Sequence, residues 1–222
     1  MNEPALPERR AGLVPLLGVS ALCAALFVLL AVWVIRRDGA PFAVDLSLHV
    51  WSVKHRPSGA VSFARAVTAT GTGVFPYLCA LTAGLIAGRD ARQRLWAAAG
   101  ALGFLGLTQV ARLGLLHAIG RPRPAIADWA THASGFAFPS GHATTSAFVA
   151  GLLAWAVARR VRTAAAVTGC VVLTLWAVSV GLSRIYLGVH WASDVLGGWF
   201  FALTWLGLGA AVIPVTRLLP RR

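Results

Sequence analysis

Six long apolar stretches, separated by short polar or basic runs, divide the chain: residues 13–35, 71–88, 95–119, 141–158, 164–182 and 191–213. Each approaches the ~17–25 residues a helix needs to cross the hydrocarbon of a bilayer. The first is too long for a signal-peptide core and lacks a small-residue cleavage pattern, so it reads as an anchor helix. Residues 36–70 are mixed, with Asp45, His49, Lys54, His55, Arg56 and Arg65 interrupting short apolar segments. That stretch reads as interfacial, a loop with partly amphipathic helices. The pattern predicts an all-α membrane bundle of about six transmembrane helices. It forms one domain over residues 1–222, with the chemistry concentrated in a core at 95–213.

Composition sharpens this picture. Of the 222 residues, 58% are hydrophobic and 12% charged, against about 45–50% and 25% in soluble domains. The net charge of +13 comes from arginines in short clusters between apolar runs. In a membrane protein that pattern sets orientation and contacts anionic lipid; it is not a nucleic-acid surface. Cys23, Cys79 and Cys170 each lie inside an apolar run without paired spacing, as packed thiols do. An even number of spans places both termini on one side. Arg9/Arg10, Arg89/Arg92/Arg94, Arg159/Arg160/Arg162 and Arg217/Arg221/Arg222 then share a face, which the positive-inside rule makes cytoplasmic. The long first loop, the 121–139 loop and the 183–190 turn fall on the opposite, extracytoplasmic face.

Three polar islands meet there. Gly120-Arg121-Pro122-Arg123-Pro124 ends the third span, its prolines stopping the helix and holding two arginines clear of it. Phe138-Pro139-Ser140-Gly141-His142 opens the fourth, with Ser140 at the N-cap and the free N–H groups near Gly141 and His142 suited to an anion. Ser183-Arg184 to His190 and Asp194 links the fifth span to the sixth. Four residues separate His190 from Asp194, so a carboxylate can orient an imidazole that serves as nucleophile or general base. Phosphoryl transfer requires cationic donors, an in-line nucleophile and an acid for the leaving oxygen. Few carboxylates lie on that face, so the reading needs no metal and no cofactor.

With these motifs in place, the chain resembles the type 2 phosphatidic acid phosphatase (PAP2) superfamily, in its bacterial integral-membrane lipid phosphatase branch. Pro139-Ser140-Gly141-His142 and Ser183-Arg184, His190 and Asp194 match two family motifs in full, and Arg123-Pro124 matches the end of a third. The resemblance implies that His190 attacks phosphorus to form a phosphohistidine, oriented by Asp194. It implies that His142 protonates the leaving oxygen and then activates water. Arg123, Arg184, Ser140 and the Gly141 backbone would hold the phosphoryl oxygens. The implied substrate is a lipid phosphate or diphosphate: undecaprenyl diphosphate, phosphatidylglycerol phosphate or phosphatidic acid. A lipid phosphotransferase, or an inactive lipid-binding or transport relative, would share these helices. The six spans speak against the soluble haloperoxidases of the same superfamily.

One position departs from the family pattern. Its lysine falls at Leu116, or at Gly114 if counted from Arg121. Arg121 is the expected substitute. Arg112 sits a turn deeper, and helical side chains lean toward the N-terminus, here away from the site, so it would have to snorkel upward to help. As a charge within a span it reads as a functional or bundle-pairing residue.

Overall fold

The apolar stretches fold as helices. The computed structural model describes the backbone of residues 6–161 and 164–215 and the side chains of 15–161 and 164–210. These residues form α1 (Leu6–Arg36), α2 (Ala43–Lys54), α3 (Ser58–Ala69), α4 (Phe75–Ala87), α5 (Ala91–Ile119), α6 (Gly141–Ala158), α7 (Ala164–Tyr186) and α8 (Ala192–Val215). A 3-10 turn, Ile126–Asp128, lies between α5 and α6, and the described residues contain no strand. Pro15–Arg36, Ala91–Ile119, Gly141–Ala158 and Ala164–Tyr186 are long and apolar enough to cross a membrane. The stretch expected at 191–213 lies in α8, a helix of 24 residues. The one expected at 71–88 is shortened to the 13 residues of α4, about 20 Å against the ~30 Å of bilayer hydrocarbon. The cause is local: residues 70–74 form a turn, with Gly73 at φ +65°.

Helix α6 is the centre of the bundle, packed against α4, α5, α7 and α8, while α1 lies along α8 and α2 and α3 lean on α7. Small residues permit the closest approach. A Cβ on Gly84 would stand 2.3 Å from Cα of Ala98, so α4 and α5 meet backbone to backbone. Ala83, Leu105, Phe148 and Val149 fill the space between α4, α5 and α6. Phe27, Val34, Phe138 and Phe201 form a second cluster that seats α1 on α8. Leu22, Trp33, Val110 and Leu175 point outward and are more than half exposed. An apolar exterior of this kind is stable only against lipid. The chain is a multi-pass membrane protein.

The bundle has two chemically distinct ends. The side chain of Asp90 accepts from the Gln93 amide at 2.8 Å and starts α5 four residues before the apolar run at 95. Arg160 donates to the carbonyls of Ile86, Ala87 and Gly88, which brings the basic runs at 89–94 and 159–160 together. The C-terminal ends of α1 and α5 lie at the other end, where Arg121 meets Gly39. Arg162, Arg217, Arg221 and Arg222, and the side chains of Arg9 and Arg10, lie outside the described residues.

Candidate active site

Gly120 closes α5 in the left-handed conformation, φ +63°, and its amide returns to the Leu116 carbonyl at 3.0 Å. Pro122 and Pro124 then prevent the helix from resuming. The loop folds back over the turn between α7 and α8. Ala130 N donates to Leu187 O at 2.9 Å, and the indole of Trp191 donates to Pro122 O at 3.1 Å. His49 on α2 pairs with Asp128 at 2.9 Å, and Arg65 on α3 donates to Ala130 O at 2.7 Å. The segment that looked interfacial in sequence therefore holds the 121–139 loop in place.

Helix α7 continues through Tyr186, so Ser183 and Arg184 belong to a helix and the connecting turn is shorter than expected. His190 lies just ahead of α8 and is 2% exposed. Its Nδ1 is 3.3 Å from Asp194 Oδ2, and its Nε2 is 2.8 Å from Nη1 of Arg123. A guanidinium can only donate, so Nε2 must accept. The ring proton therefore sits on Nδ1, directed at Asp194, and the Nε2 lone pair faces Arg123. Burial, and after it the charges of Arg123 and Arg184, holds the ring's pKa well below the usual 6.5.

Arg121 stands elsewhere. It is fully buried, and all five of its N–H donors are committed: Nε to Gly39 O, Nη1 to Ser193 Oγ and Asp194 Oδ1, Nη2 to Ala40 O and Asp45 Oδ2. With no donor left for phosphate, it cannot be the substitute cation expected from sequence. It joins two buried carboxylates, Asp45 and Asp194, and Ser193 closes the network by donating its amide and hydroxyl to Asp45 at 2.8 and 2.6 Å. Asp194 also accepts from the Trp191 amide at 2.8 Å, which leaves it few degrees of freedom. Asp45 was not singled out in sequence. Its one signal there was being the sole carboxylate in a predominantly apolar run between Asp38 and Asp90.

Ser140 occupies the N-cap position of α6, but its hydroxyl caps nothing, and Oγ is buried without a protein partner among the described residues. Its amide donates to Asp194 O at 3.0 Å, which fixes the start of α6 against α8. Gly198 makes that approach possible, since a Cβ there would stand 2.8 Å from Ser140 O. Arg184 donates through Nη1 to Thr68 Oγ1 at 3.1 Å, and its Nε is buried without a partner. Arg123 is anchored by Gly135, Ser134 and Val189 carbonyls as well as by His190. His142 lies within electrostatic reach of Arg184, Arg123 and Arg112. The structure thus brings His142, Ser140, Gly141, Arg123, Arg184 and His190 to one place.

It brings a further cation as well. The guanidinium carbon of Arg112 is 3.2 Å from where a Cβ on Gly141 would stand. Sequence reasoning placed this residue too deep. The reason is the level of α6: Gln109 on α5 donates to Thr145 on α6 at 2.7 Å, so the α6 N-terminus lies about 10 Å below the end of α5. At that depth Arg112 is level with the site.

The site is thus a buried, oriented imidazole set among guanidiniums and carried on an all-helical membrane bundle. Residues 94–217 match the sequence profile of the PAP2 superfamily, and the chain belongs to that superfamily. Over 87 residues it is 39% identical to phosphatidylglycerophosphatase B of Bacillus subtilis, a match covering 38% of this chain and 42% of the relative. The chain thus spans less than half the length of that relative. It is 32% identical over 143 residues to decaprenylphosphoryl-5-phosphoribose phosphatase of Mycolicibacterium smegmatis, covering 63% of this chain and 72% of the other. A crystal structure of a transmembrane PAP2-type phosphatidylglycerolphosphate phosphatase from Bacillus subtilis has the same fold, with TM-score 0.76 and 24% identity over 89% of this chain and 96% of that one.

Proposed function

We propose that this chain is a metal-independent lipid phosphatase working through a phosphohistidine at His190. The observation that carries the reading is the fixed tautomer of His190, with Nδ1–H directed at Asp194 and the Nε2 lone pair held beside Arg123. In the first step Nε2 attacks phosphorus, the bond to the lipid oxygen breaks, and His142 gives that oxygen its proton. In the second, water attacks phosphorus, His142 takes a proton from it, and the N–P bond breaks to release inorganic phosphate and neutral His190. Arg123, Arg184, Ser140 and the Gly141 amide carry the charge on the phosphoryl oxygens. Arg121 is a positioning residue for Asp194.

Metal independence is supported by the chemistry of the donors. Arg123 and Arg184 would repel a divalent cation, and the site carboxylate is already held by Arg121, the Trp191 amide and His190. The two relatives' names describe lipids that carry a phosphorylated headgroup, which supports a substrate of that class. Among the candidates read from sequence, phosphatidylglycerol phosphate is thereby favoured over undecaprenyl diphosphate and phosphatidic acid. The basic runs gathered at the far end of the bundle support an extracytoplasmic site. The test is phosphate release by the purified protein from this lipid panel with EDTA present. Release from at least one lipid is expected. No release from any of them, or release that EDTA abolishes, would overturn the reading.

A further inference from the structure

The structure assigns a third phosphate-facing cation of this site, beside Arg123 and Arg184, to Arg112, held in place by Gln109 and Thr145. The inference rests on the phosphatase reading above and concerns how its pocket is completed. Arg112 lies in the apolar helix α5, where an unpaired charge is expensive and calls for a role. Among the described residues no carboxylate pairs with it, and only its Nε has a hydrogen-bond partner, Gln109 Oε1 at 3.1 Å. Gln109 is oriented in turn: its amide donates to Thr145 Oγ1 at 2.7 Å, and that hydroxyl donates to Gly141 O at 2.7 Å. This chain of bonds fixes the guanidinium against the first residue of α6 and leaves both terminal nitrogens for a ligand.

The ligand must be an oxyanion. Arg112 Nη1 is 3.3 Å from the position a Gly141 Cβ would take. The neighbouring Ser140 hydroxyl is fully buried and has no protein partner. A donor-only guanidinium and an unbonded hydroxyl beside exposed helix amides share one natural occupant, a tetrahedral phosphate oxygen. Arg112 also adds its charge to those of Arg123 and Arg184 around His190. A methyl group at 141 would stand 3.2 Å from the guanidinium carbon, tight enough to displace it by a few tenths of an ångström.

Kinetics with a lipid phosphate, and competition by inorganic phosphate, test the assignment. Arg112→Met is expected to lower kcat/KM about ten- to a hundredfold and to raise the inhibition constant for phosphate similarly. Adding Leu116→Lys to that variant, which returns a cation one turn higher, is expected to raise kcat/KM at least about threefold above Arg112→Met alone; a residue that only packs would not be rescued. Leu116→Lys alone is expected to change kcat/KM less than about threefold, because the cation is already supplied. Wild-type kcat/KM and phosphate inhibition in Arg112→Met would overturn the inference. So would a tenfold or greater gain from Leu116→Lys alone, and this arm holds even if Arg112→Met does not fold. A wild-type protein inactive on every lipid phosphate would instead sink the phosphatase reading.

Discussion

Nη1 of Arg123 donates to Nε2 of His190 across 2.8 Å, on the side of the ring opposite Asp194. One residue thus holds the tautomer and guards the lone pair that the proposed reaction uses. It also supplies a charge that disfavours imidazolium. In the folded protein His190 stays neutral well below pH 6.5, whereas in the unfolded chain it protonates there. The unfolded state binds more protons below 6.5, so this group's contribution to stability falls as pH drops through that value. NMR titration of the His190 ring should give a pKa below 6.5 in the wild type, and Arg123→Gln should move it upward. A ring titrating at 6.5 or above in the wild type would exclude this electrostatic arrangement.

Arg121 and Arg123 are two residues apart and are expected to fail differently. Removing Arg121 leaves Asp45 and Asp194 as unpaired buried carboxylates, a loss of about 3–5 kcal/mol. Arg121→Ala should lower the melting temperature in detergent sharply and reduce activity through loss of folded protein. Arg123→Ala should melt near wild type and lose catalysis. Melting curves paired with kcat for the two variants check this, and a stable Arg121→Ala protein would contradict it.

Gly198 sets the distance between α8 and the start of α6. A Cβ there would stand 2.8 Å from Ser140 O and 3.1 Å from Thr144 N, both backbone atoms that cannot turn aside. Gly198→Ala should therefore part His190 and Asp194 from Ser140 and His142. We expect a kcat loss of about tenfold or more at modest cost in melting temperature, as small displacements of reacting groups give.

Orientation is testable in a cysteine-free background, with Cys23, Cys79 and Cys170 replaced. A cysteine at exposed Ala127 in the 121–139 loop should react with an impermeant reagent in intact cells, and one at exposed Arg92 should not. The reverse labelling would place the site in the cytoplasm.

Much of this molecule was legible in its sequence, because the strongest signals were local. Apolar length announced the long helices, and the Pro139–His142 and Ser183–Asp194 spacings announced groups that the fold does bring together. What was hidden depended on relative helix depth. Arg112 sits beside Gly141 only because α6 begins well below the end of α5, and spacing along one helix carries no such information. The partners of Arg121 are 72 to 82 residues away in sequence, so no local pattern distinguished it from Arg123. The shortening of α4 was visible in Thr70-Gly71-Thr72-Gly73, whose turn-forming glycines are uncharged and so left the apolar run unbroken.

The central claim is that His190 carries the phosphoryl group, and trapping it is the most direct test. His142→Ala should still accept phosphate from an ester whose leaving group is a phenol, because such a group departs without protonation. Hydrolysis of the N–P bond should then stall for want of a base. Incubated with the 32P-labelled ester, that variant should accumulate acid-labile, base-stable label on the peptide containing His190. The His142→Ala, His190→Ala double variant should accumulate none, and His190→Ala alone should lose turnover by about a thousandfold or more while remaining folded. Full turnover in a folded His190→Ala protein, or label on any residue other than His190, would contradict the claim.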